Sequence, residues 1–186
     1  MSTSRIIELD RVAPGVRIKQ LVLLTGAVYL TCVAVTNAVN VIASVGGFDW
    51  TFLNSGNIQY IASSVTKSYG WPMWFDRLVV VGAAVIEAVG AVLFWRALRL
   101  SQRPEGRRAA WIALGHNMLV WLGFIVGTEF FVAYGSESPF RELLMIGMLM
   151  AVVYQVVPDD AGATRPTPAV MLGRDASEPS TVSTSR

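Results

Sequence analysis

The chain has 186 residues, 53% of them hydrophobic and 15% charged, with a formal net charge of +2. That balance lies on the membrane side of an average soluble domain, and the charge is too small to argue for nucleic acid as a partner. One cysteine, Cys32, and one histidine, His116, exclude an intrachain disulfide, a cysteine-rich zinc or iron–sulfur site, and a bis-histidine haem within one chain.

In chain order, a basic segment (1–20) leads into an apolar stretch at 21–45. About 20 apolar residues in a helix cross a bilayer core. The stretch is longer than the apolar region of a signal peptide, about 7–15 residues, so it is expected to be a retained span. Thr25, Tyr29, Cys32, Thr36 and Asn40 follow one another at steps of four, three, four and four, which puts them on one helical face, with Asn37 beside it. Such a stripe either lines a wet cavity or hydrogen-bonds to neighbouring helices.

The connection 46–76 is rich in aromatic residues, among them Trp50, Tyr69, Trp71 and Trp74, which favour the headgroup level. Within it Ile58, Ile61, Ala62 and Val65 recur at helical spacing, which predicts a short interfacial helix. Gly70, Trp71 and Pro72 then break the chain. The segment is expected either to anchor and cap the bundle or to act as a lid over a cavity or partner surface.

A second span is predicted at 78–98. Glu87 lies about 14 Å into it, where an ionisable group is expensive and defaults to a functional hypothesis. Its neighbours at three and four residues include Ala84 and Gly90, small residues that mark close helix approach. The carboxyl is therefore expected to point into the bundle, as a proton or cation site or as a structural hydrogen bond. In the third span, 109–131, His116 is expected at a similar level, so a Glu87–His116 hydrogen bond is predicted. Gly123 and Gly127 form a GxxxG pattern and are predicted to pack against another helix. Glu129, near the end of that span, is expected to pair with Arg141 at the start of the fourth, 140–157. The tail, 158–186, is rich in Pro, Ala, Thr, Ser and Asp and is expected to be disordered.

Of the 15 Lys and Arg, only Lys67, Arg77 and Arg141 lie on one side of this arrangement. The remainder flank the other, so both termini and the turn at 101–108 are predicted to be cytoplasmic. The expected fold is an all-α membrane protein: a four-transmembrane-helix bundle in the cell membrane, with an outer interfacial helix or loop and a disordered cytoplasmic tail.

Thr36-Asn37 and Asn40, Trp74, Glu87, Gly127-Thr128-Glu129-Phe130-Phe131, then Tyr134, Ser136 and Phe140-Arg141 stand in an order that resembles a bacterial family of small four-span integral membrane proteins of unknown function. The resemblance covers roughly residues 21–155. It departs at Thr128 and Phe130, where the family has Gly and Trp, and the family's aspartate after the first span has no clear counterpart. It implies the four-span architecture, lends weight to Glu87 and Glu129, and implies no activity.

No HExxH, GxSxG, P-loop or His/Cys cluster occurs in the sequence. The expectation is a non-catalytic accessory or assembly subunit, with no cofactor and no metal site. Its expected partners are the lipid bilayer and a homo-oligomer or larger membrane complex. The alternatives are a small proton-coupled carrier using Glu87 and His116, and a quinone- or haem-associated redox subunit.

Overall fold

The computed structural model describes residues 13–48, 50–131, 133 and 137–159. They form α1 (Pro14–Ser44), a short α2 (Asn57–Tyr60), α3 (Met73–Leu100), α4 (Gly106–Phe130) and α5 (Glu137–Val156). No strand occurs among the described residues. The four long helices have 31, 28, 25 and 20 residues, long and apolar enough to cross a membrane. The chain is thus an all-α four-helix bundle of membrane-span character. The expected disorder of the tail falls on residues that, from 160 onward, lie outside the described ones.

Each helix runs past the apolar stretch that signals it. α1 starts at Pro14, where a fixed φ and a missing N–H fit the first turn, and it carries Arg17 and Lys19 within its first turns. α3 starts after Pro72, with Asp76 in the first turn complementing the helix dipole. α4 starts at Gly106, where a Cβ would run into the Leu100 carbonyl of the preceding turn, so glycine is required there.

The helices pack in chain order, α1 on α3, α3 on α4 and α4 on α5, and α5 returns to touch α1. The buried centre alternates large and small side chains: Leu23, Leu30, Phe94, Leu114 and Trp121 against Ala27, Ala97, Ala113 and Ala151. Between apolar helices in lipid, close packing rather than water exclusion supplies the attraction, so small residues mark the contacts. Gly26 shows this: a Cβ there would lie 2.5–2.8 Å from the Phe94 ring. Leu21, Val28, Leu78, Val92, Leu119, Val126, Leu149 and Val152 are exposed on the outer faces, as a lipid-facing surface requires.

The connection between α1 and α3 holds the expected short helix, continuous over 57–65 in α- and then π-form. It turns at Gly56, in the left-handed region (φ +70°), and makes the four residues of α2. A π-helical turn (Ile61–Val65) and a 3-10 turn (Lys67–Tyr69) follow. Ile58 is 1% exposed, so its side chain is taken up by the protein, and the segment is folded over one end of the bundle.

Candidate functional site

Two helices and the folded-over segment converge on Glu87. From α1, Asn37 donates from Nδ2 to Glu87 Oε2 at 2.8 Å. From α2, Asn57 donates from Nδ2 to Asn37 Oδ1 at 2.7 Å. The result is a relay of hydrogen bonds from the covering segment, through an asparagine, to a carboxyl. One turn further along α1, Asn40 does the same for the segment's backbone. Its Nδ2 donates to Asn54 Oδ1 (2.6 Å) and Gln59 Oε1 (3.1 Å), while its Oδ1 accepts from the Ile58 N–H (2.9 Å). Asn37, Asn40 and Glu87 are all within 2% of full burial. A buried polar group without a partner costs about 1–3 kcal/mol, which these bonds offset for both asparagines and for one oxygen of Glu87.

A second tie seats the far side of the segment. Thr66 lies 2.7 Å, hydroxyl to Oδ1, from Asp76 of α3, and both are buried. Arg77 donates from Nη2 to the Ser44 carbonyl at 2.6 Å.

Beneath the segment lies a cavity of about 280 Å³, close to the lower end of the range for small-molecule sites, about 300–1,000 Å³. Asn57, Tyr60 and Thr66 border it from the segment, Asn37 and Glu87 from below. Its wall is aromatic. Trp121, Phe124 and Phe140 border it and lie against one another with ring centroids 5.1–6.4 Å apart, Trp121 and Phe140 stacked and Phe124 tilted to both. Trp121 is fixed by its indole N–H, which donates to Asn117 Oδ1 at 2.9 Å. Among the described residues, Arg77 Nε is the one sealed side-chain polar atom without a hydrogen bond. The second oxygen of Glu87 is not among the sealed atoms, and Glu87 is one of the residues that border the cavity.

The predicted site residues divide. Asn37, Asn40 and Glu87 come together as described. His116 does not join Glu87, contrary to expectation. Its Nε2 lies 3.0 Å from the Ile86 carbonyl, and a carbonyl can only accept, so Nε2 carries the proton in that contact. Asn37 of α1 takes the carboxyl instead, and the His116 ring is committed to the α3 backbone beside Gly90. Gly90 packs as predicted, since a Cβ there would be 2.7 Å from Leu30 Cδ1 and 3.0 Å from His116 Cδ2. Ala84 is half-buried.

Gly123 and Gly127 do not pack as predicted: a Cβ on either would meet nothing within 4 Å. Among the described residues no helix crosses there. Gly123 is exposed, and Gly127 borders the cavity, where its missing side chain is part of the empty space. Glu129 is exposed, and the expected Glu129–Arg141 pair is replaced by Arg141 Nε to Glu137 Oε1, 3.3 Å, one turn apart on α5. The inward polar stripe on α1 holds only at its end. Thr25 and Cys32 are exposed, Tyr29 is 40% exposed at the cavity's edge, and only Thr36 and Asn40 turn inward.

Asn57, Asn54, Gln59 and the ring wall were not singled out as site residues from sequence. The available signal was three amides within six residues of a connection otherwise rich in apolar and aromatic side chains. Among the described residues no group of three or more His, Cys, Asp or Glu could hold a metal ion. Chemically, the arrangement offers one acceptor oxygen in an apolar, ring-lined space. No family model matches the chain, and no curated protein or solved structure does either.

Proposed function

We propose that this chain is a non-catalytic integral membrane protein that binds a small, mainly apolar molecule through a hydrogen-bond-donating or cationic head, as an accessory subunit of a membrane complex or homo-oligomer. The observation that carries this reading is the Glu87 carboxyl: 2% exposed, held by Asn37, and bordering a largely apolar cavity. A carboxyl oriented by amides and left with a free oxygen suits recognition of a donor. His116 is turned to a different partner and makes no bond to this carboxyl. The same separation weighs against a proton-coupled carrier through these two residues. The positive-inside pattern supports an inner-membrane protein with both termini cytoplasmic, and the resemblance to small four-span bacterial membrane proteins belongs to the same proposal.

The test is a series of equal tail length and different head: n-hexylamine, n-hexanol and n-hexanoate, titrated into detergent-solubilised protein with tryptophan emission as readout, since Trp121 borders the cavity. The amine is expected to bind tightest and to lose roughly tenfold to hundredfold in affinity in Glu87→Leu, the loss of one hydrogen bond to a charged group. Equal binding of amine and carboxylate, unchanged by Glu87→Leu, would overturn the reading.

A further inference from the structure

The other end of the bundle holds a second cavity, about 640 Å³, where the start of α1, the α3–α4 turn and the end of α5 meet. Its character is the reverse of the first. Lys19, Arg103 and Arg107 line it, and Asp159 is the acid beside them. Lys19 is drawn inward: its side chain is 13% exposed, its Nζ is 2.6 Å from Asp159 Oδ1, and it stands 5.2 Å from the centre of the Tyr154 ring. Gln20, the next residue, donates from Nε2 to Ser101 Oγ at 2.9 Å, which ties α1 to the turn that carries Arg103. Neither Arg103 nor Arg107 makes an ion pair among the described residues.

Three cations against one carboxylate in a concave site give a focused positive potential. Guanidinium groups present paired N–H donors that match two oxygens of a phosphate. The Asp159 carboxylate on Lys19 marks a place where an anionic oxygen already sits. The cavity also lies at the ends of the apolar helices, the level at which headgroups meet a membrane protein, and basic pockets between spans are suited to phosphate headgroups.

We propose that this cavity binds a phosphate group, presented by an anionic phospholipid or by a soluble phosphate, with Arg103 and Arg107 as its ligands and Lys19 shared with Asp159. The site is independent of the Glu87 cavity. The full chain in dodecyl maltoside is titrated with phosphatidylglycerol, with phosphatidylcholine, and with inorganic phosphate against chloride at matched ionic strength, and the thermal unfolding midpoint is read. Phosphatidylglycerol alone should raise the midpoint if a lipid supplies the group. Inorganic phosphate should raise it equally if the source is soluble. In either case the apparent affinity should fall on the order of tenfold in Arg103→Gln/Arg107→Gln and rise in Asp159→Asn, which releases Lys19. No response to either anion, or a response that persists undiminished in the double variant, overturns the proposal. Should the double variant fail to fold, Asp159→Asn decides: tighter binding supports the site and unchanged binding refutes it.

Discussion

The two ends of this bundle solve the same problem, closing a gap between helices, with opposite chemistry. At one end uncharged amides close it. Asn37, Asn40, Asn54, Asn57 and Gln59 join into hydrogen bonds of 2.6–3.1 Å, which let Asn37 and Asn40 be buried while Asn54 and Asn57 stay half-buried and Gln59 exposed. At the other end charges close it. Lys19 and Asp159 pair at 2.6 Å, but Asp159 stays 69% exposed and the neighbouring arginines remain in the open. Ions are costly to strip of water, whereas amides can exchange water for one another at little net cost. One end therefore becomes a ring-lined chamber with a single carboxyl, and the other a basic basin. A binding site for an apolar molecule belongs at the first and one for an anion at the second.

Substitutions that probe this contrast should differ sharply in size. Ile58→Ala removes a fully buried side chain from the covering segment and should cost about 2–5 kcal/mol in an SDS unfolding titration. A loss below about 1 kcal/mol would mean that the segment is not seated on the bundle. Gly90→Val forces a side chain between Leu30 and His116 and should cost about 1–3 kcal/mol by overpacking. Gly127→Ala, with nothing within 4 Å of its Cβ, should be neutral or stabilise by up to about 1 kcal/mol through helix propensity. Gly127→Leu should leave stability intact but fill the chamber and abolish hexylamine binding. At the charged end Asp159→Asn should change stability by no more than about 1 kcal/mol, as expected of an exposed pair. Smallest of all, Glu129→Gln should shift stability by less than about 0.5 kcal/mol. A large loss there would restore the interhelical pair with Arg141.

The four spans could be read from sequence because length and apolarity are properties of a segment taken alone. Their ends could not: hydropathy stops at charged residues such as Lys19, while the helix continues through them. That Glu87, Asn37 and Asn40 turn into the bundle was readable, and the small residue at Gly90 marked a close contact. Which partner meets Glu87 was not readable. That depends on how far each helix is rotated about its axis, and the answer came from Asn37 on α1 rather than His116 on α4. Asn57 was hidden for another reason. It is brought over α1 by the left-handed glycine at Gly56, which leaves no periodic trace. The GxxxG pattern at Gly123 and Gly127 misled because a spacing says that two glycines share a face, not that a helix lies against it.

A double-mutant cycle between Asn37 and Glu87, read as unfolding free energy in mixed micelles, tests most directly whether the covering segment and α1 hold the carboxyl in place. Asn37→Ala alone should cost about 1–3 kcal/mol, because it strands both the carboxyl and the Asn57 amide. In a Glu87→Leu background the cost should fall by about 1 kcal/mol or more. If the two substitutions instead add to within about 0.3–0.5 kcal/mol, the residues are not coupled and the chamber is not built in the way described.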